Sequence, residues 1–171
     1  MKKLNNIFPV LLMIWPYLFL LFAVLPDESG KVHRLFLVLY SVLTVILYCL
    51  NIWNAFSFQG SKRQLAYFDM VVKFVHIPFY LGVFAVGGIS FLAMVVPAFL
   101  FLSPILICIL FVVDFFLMLT SSMYGISGVI RLLRDHDISK KSGCLYLLCH
   151  IIFVADVISA VCLFRKCKDK H

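Results

Sequence analysis

Charge is what this sequence has least of. Only 13% of its 171 residues are Asp, Glu, Lys or Arg, and only 8 are acidic. An ordinary soluble domain carries about a quarter charged residues. With 64% hydrophobic residues and a mean hydropathy of +1.07, the chain lacks the polar surface to clothe a globule in water. This excludes a soluble enzyme, a disordered chain and a coiled coil. Several motifs are also missing. There is no C-x-x-C, no Cys/His spacing that suits zinc, no H-E-x-x-H, no phosphate-cradling glycine loop and no G-x-S-x-G. No metal, cofactor or enzymatic activity is expected on that ground. The 6 cysteines, Cys49, Cys108, Cys144, Cys149, Cys162 and Cys167, lie mostly in apolar runs, where Cys acts as a small hydrophobe.

Long apolar runs are what remains. A helix needs about 20 apolar residues to cross the hydrocarbon core. The runs suggest an all-α integral membrane bundle, one domain over 1–171, with about five transmembrane helices at 6–25, 35–56, 65–96, 104–130 and 144–164. Lys2-Lys3 followed by an apolar run resembles a signal peptide. No clean small-x-small site follows, so an uncleaved first span is expected. Pro26-Asp27-Glu28-Ser29-Gly30 reads as a turn. Paired Pro97 and Pro104 place a hairpin turn between the third and fourth segments. The stretch 131–143 reads as a charged loop, in which Asp137-Ile138-Ser139 can cap a short turn.

The net charge of +7 does not point to nucleic acid, because the cations sit at the ends of apolar runs. There they mark membrane boundaries and meet anionic headgroups. Five crossings with the N-terminus inside put Lys62, Arg63 and the 131–143 loop in the cytoplasm and the basic tail outside. That tail conflicts with the positive-inside tendency: either the first loops overrule it, or one segment fails to cross. The expectation taken is five crossings.

Polar side chains at membrane depth each need a reason, since a charge there costs roughly 2.5–3.5 kcal/mol on insertion scales. Asp69, Lys73, His76 and Tyr80 share one helix face, with Asp69 and Lys73 spaced to pair. They form either an interfacial helix start or the polar mouth of a cavity in which His76 titrates. Ser41, Thr44, Tyr48, Asn51 and Asn54 make a second stripe, suited to interhelical hydrogen bonds. Asp114 shares a face with Met118, Ser121, Gly125 and Gly128. Ser121, Gly125 and Gly128 are read as helix-packing positions that let another helix approach. Asp156 lies near the middle of the fifth segment, and on a continuous helix His150 would stand about 120° away from it. Asp114, Asp156, Lys73, His76 and Asp69 are therefore the candidates for a polar interior that handles an ion or proton.

Gly125-Ile126-Ser127-Gly128 resembles the nucleophile motif of rhomboid intramembrane proteases, with His150 on the following segment. The likeness covers four residues. The small residues that rhomboids carry after their histidine are missing, and so is their first-loop signature. Three longer stretches, 73–80 (KFVHIPFY), 124–128 (YGISG) and 153–160 (FVADVISA), resemble small multi-span membrane proteins of Firmicutes that form a family of unknown function. That resemblance implies a bacterial plasma-membrane protein and supplies no activity.

The expected function is a non-enzymatic accessory, immunity-type or interaction subunit of the plasma membrane. Its partners would be the lipid bilayer and a larger membrane complex or further copies of itself. The alternative is a small solute, ion or proton carrier that uses buried aspartates. A remote alternative is an intramembrane serine hydrolase using Ser127 and His150.

Overall fold

The computed structural model describes residues 2–23 and 31–168, and the turn expected at 26–30 lies outside them. Among the described residues there are six α-helices and no strand: α1 (Lys2–Ala23), α2 (Lys31–Ser57), α3 (Lys62–Ala93), α4 (Leu102–Arg134), α5 (Lys140–Cys149) and α6 (Phe153–Lys168). A 3₁₀ turn, Pro97–Phe99, joins α3 to α4, where the paired prolines suggest a break. Within α2 the run Arg34–Ser57, and α3 and α4 over their whole lengths, are long and apolar enough to cross a membrane. α1 carries a shorter apolar run, Asn6–Leu20.

The ends follow from local chemistry. Ser61 and Gln64 close a capping box on α3, with Gln64 N donating to Ser61 Oγ at 3.2 Å and Ser61 N donating to Gln64 Oε1 at 3.1 Å. The segment 131–143 is not all loop, because α4 runs on to Arg134. It then stops in a Schellman turn: His136 takes φ 58°, and Asp137 N donates to Leu132 O at 2.9 Å. Arg131 and Arg134 suit the negative end of that helix. Ser139 caps α5 through Ser142 N at 3.3 Å, so the expected cap is present. Gly143 lets α5 close onto α4, since a methyl group there would lie 2.5 Å from Leu133 Cδ2.

α3 and α4 form an antiparallel hairpin that is the spine of the molecule. Leu65, Val72, Phe79 and Tyr80 of α3 meet Leu117, Met118 and Tyr124 of α4 in the main apolar core, which Leu12 and Met13 of α1 and Ala55 of α2 complete. α1 runs antiparallel to α2, with Trp15 stacked on Tyr40 at 5.0 Å and Trp15 Nε1 donating to Thr44 Oγ1 at 2.7 Å. On the other side of the hairpin, Leu163 and Cys167 of α6 join Ala66, Val129 and Leu132 in a second core.

The expectation of one continuous helix at 144–164 is corrected. α5 ends at Cys149, a turn takes residues 150–152, and α6 runs back toward where α5 began. Asp156 lies beside Ser122 of α4, Leu163 lies against Gly128, and Cys167 shares a cavity wall with Lys62 and Arg131. α6 is thus parallel to α4, and its last turn returns to the end where α3 starts. The two helices have 10 and 16 residues, each short of the roughly 20 that a crossing needs. Tyr146 of α5 and Lys166 of α6, 5.9 Å apart, close the open end of the hairpin.

This fold-back is testable by cross-linking. In a protein keeping Cys167 as its only native cysteine, Arg63→Cys should cross-link to Cys167 within one chain through a short bismaleimide. A single straight helix from residue 143 would carry Cys167 about 35 Å away. An absence of cross-link, with both thiols labelled singly, would overturn the hairpin.

Candidate functional site: a buried acid–base cluster

Three of the candidate residues come together where α3, α4 and the α5–α6 turn meet. Lys73 Nζ lies 2.8 Å from Asp69 Oδ1 one turn earlier on α3, and 2.5 Å from Asp156 Oδ1 in the first turn of α6. The fourth member is His150, which caps α5. Its Nδ1 is 2.8 Å from Lys73 Nζ and 2.7 Å from Asp156 Oδ1. Ser122 Oγ of α4 donates to the same Asp156 oxygen at 3.0 Å. All four charged or titratable side chains are almost wholly buried, Asp156 and Lys73 at 2% exposure and Asp69 and His150 at no more than 1%.

Why the chain places them there can be read step by step. Asp69 and Lys73 are an i, i+4 pair with the acid first, the favourable order on a helix. Asp156 falls in the first turn of α6, where the unpaired N–H groups favour a negative charge. Gly125 makes the approach possible: a methyl group there would lie 2.5 Å from His150 Cε1 and 2.6 Å from Asp69 Oδ2. The expected packing role of Gly125 is thus specific, since the helix it admits brings the histidine. Gly128 lies 3.6 Å, by the same measure, from Leu163 of α6. Ser121 is fully buried and donates to Met118 O at 2.9 Å.

The other candidates lie elsewhere. Asp114 is about 12 Å further along α4 than Ser122 and belongs to none of the cluster's ion pairs. Its side chain is half-buried, so the shared polar interior with Asp156 and Lys73 is not formed. His76 is fully buried, yet its Nε2 donates to Leu12 O of α1 at 3.1 Å. That carbonyl is available because its normal helical donor, four residues on, would be Pro16, which has no N–H. His76 therefore fills a vacancy left by a proline and fastens α1 to α3. The α2 stripe also fastens helices: Tyr124 Oη donates to Asn51 Oδ1 at 2.8 Å, and Asn54 Nδ2 donates to Tyr124 Oη at 3.1 Å.

His150 is the member that sequence reasoning assigned only to the hydrolase alternative. The 120° separation from Asp156 holds for a continuous helix, and the turn at 150–152 removes it. Ser127, the other half of that alternative, stands about 200° around α4 from Gly125, which faces His150. It lies on the Tyr124 side, toward α2, and the Ser–His pairing is not made.

Lys73 should be the most sensitive position. Lys73→Met leaves two carboxylates buried without a cation and should cost about 3–5 kcal/mol. The thermal midpoint in detergent should fall steeply. Adding Asp69→Asn and Asp156→Asn to that variant removes the stranded charges and should recover most of the loss. A Lys73→Met protein that melts like the wild type would show that Lys73 does not hold this centre.

No curated protein and no solved structure matches the chain. A family of unknown function (DUF6652) matches residues 3–169, nearly the whole length, and the chain belongs to that family.

Proposed function

We propose that the chain is a multi-pass plasma-membrane protein of bacterial type, in which α1 to α4 cross the bilayer and the α5–α6 hairpin enters and leaves on one side. Among the described residues, Lys31 and Arg34 start α2 at one end of the bundle and Lys73 lies at depth. Every other described Lys and Arg belongs to the opposite end. The positive-inside tendency makes that end cytoplasmic. The conflict raised by a basic tail outside disappears once the fifth segment turns back.

Within this frame the Asp69–Lys73–His150–Asp156 cluster is the proton-binding centre of a small non-enzymatic carrier. The position of His150 Nδ1 carries the reading. With a proton on Nδ1, the ring donates to Asp156 and faces Lys73 as a fellow donor. Without it, the ring accepts from Lys73 and faces the Asp156 lone pair. Each state satisfies one neighbour and opposes the other, so one proton has two resting places. Two carboxylates and one ammonium leave one negative charge, which a single further proton neutralises. Lys73 is six residues beyond Tyr67 on α3, about 9 Å further along the helix and inside a hydrocarbon core about 30 Å thick. A break in a membrane helix beside ionisable groups at that depth suits an ion or proton site.

A second reading keeps the cluster as a permanent clamp in an accessory or interaction subunit. The far half of α3 favours it. Gly82, Gly87 and Gly88 meet nothing within 4 Å, and Phe84 is 80% exposed, so this part of the helix is free for a larger membrane partner or a further copy.

Proton-uptake measurements on the protein in liposomes separate the two. The carrier reading requires uptake that is lost in Asp156→Asn and altered in His150→Gln, with both variants folded. Liposomes that take up no protons leave the clamp, and recovery of a partner from membranes then becomes the measurement.

A further inference from the structure

The end of the bundle where α3 begins and α4 and α6 finish holds a cavity of about 490 Å³ that the proton-binding reading does not use. Lys62, Arg63, Arg131 and Arg134 share its wall with Asp135 and Asp137. The two acids are already engaged. Lys62 Nζ is 2.5 Å from Asp135 Oδ2 and 2.6 Å from Asp137 Oδ2, and the hydrogen bond from Lys62 holds the Asp135 carboxyl below its ordinary range. The arginines keep donors to spare. Arg131 gives one N–H to Gly60 O at 3.2 Å and another to Phe58 O, which leaves three of its five. Arg134 reaches Asp135 only at 3.7 Å, and Arg63 is exposed and makes no ion pair among the described residues.

We propose that this cavity seats the phosphate of an anionic phospholipid headgroup. The chemistry needed is a concave cluster of forked cationic donors, which guanidinium groups supply to phosphate oxygens. The depth is right for a lipid. Tyr67 and Phe164, with ring centres 5.9 Å apart, and Tyr146 beneath Lys166 mark one aromatic and basic level of the kind found at the membrane interface. The cavity lies beyond that level by the five residues from Tyr67 to Lys62, about 7 Å, which is headgroup height. Toward the membrane, Tyr67 and Phe74 are seven residues apart on one face of α3 and about half exposed, an apolar track for an acyl chain. Basic pockets between membrane helices on the cytoplasmic side suit anionic lipids for the same electrostatic reasons. The inference rests on the membrane reading and is independent of the proton reading.

Native mass spectrometry of the full chain released from detergent tests it, with equal phosphatidylglycerol and phosphatidylcholine offered. The wild type should retain phosphatidylglycerol preferentially, the preference should weaken as salt rises, and R63Q/R134Q should lower it about tenfold. Neither arginine bonds a backbone carbonyl, so the double variant should melt like the wild type. Equal retention of the two lipids, or an unchanged preference in the double variant, overturns the proposal. Inorganic phosphate at 10 mM is the third arm: if it alone abolishes the preference, the cavity takes soluble phosphate and the lipid assignment fails. A chain that stays dispersed without detergent would instead sink the membrane reading, which is a separate outcome.

Discussion

One ammonium group organises the polar half of this molecule. Lys73 is buried on α3, and a buried cation is tolerable only where opposite charges and hydrogen-bond acceptors surround it. Its own helix supplies Asp69. The remaining polar neighbours, Asp156 Oδ1 and His150 Nδ1, come from a segment some eighty residues later. A continuous helix through 150–156 would hold those two side chains about 9 Å apart along its axis and on different faces. Both reach Lys73 because the helix stops after Cys149 and starts again at Phe153. The break, the direction of α6 and the return of its last turn to the basic end are all consistent with satisfying that one charge.

A turn inside the proposed membrane bundle must still satisfy its backbone. Ile151 N bonds Leu148 O at 3.1 Å and Ile152 N bonds Cys149 O at 3.3 Å, both over three residues, before Asp156 N bonds Ile152 O at 2.8 Å to begin α6. The chain reverses without leaving these N–H groups unpaired, which lipid surroundings would penalise. The side chains at the tip, Ile151 and Ile152, are apolar and exposed, which fits the proposed hairpin tip in hydrocarbon. Polar groups point inward to the cluster and apolar groups outward, so the same few residues serve both demands.

Much of the helical layout was legible. Apolar runs and charged ends located α2, α3 and α4, and the paired prolines located the α3–α4 turn, because those signals are local. The Asp69–Lys73 pair was legible for the same reason. The break at 150–152 was not, since no glycine or proline marks it and the cause is a contact with Lys73, which no local pattern records. The face-sharing argument that separated His150 from Asp156 failed because it assumed a continuous helix. One indirect sign was present: the basic tail, which five crossings would put on the side that the positive-inside tendency disfavours. Asp114 misled in the opposite sense. Its face carries Ser121 and Gly125, but the approaching hairpin stops short of its level, so sharing a face with the contact did not place it in the contact.

The histidines show why burial alone does not identify a site. His76 and His150 are both at most 1% exposed, and each has one ring nitrogen bonded and the other without a hydrogen-bond partner. They differ in what the bonded nitrogen meets. His76 meets a carbonyl oxygen, which can only accept, so Nε2 keeps its hydrogen and one tautomer is fixed. His150 meets a donor and an acceptor at nearly equal distances, so neither tautomer satisfies both. A vacancy beside Pro16 makes the first a fastener between helices. The converging charges of α3 and α6 make the second a place where moving a proton changes which neighbour is satisfied.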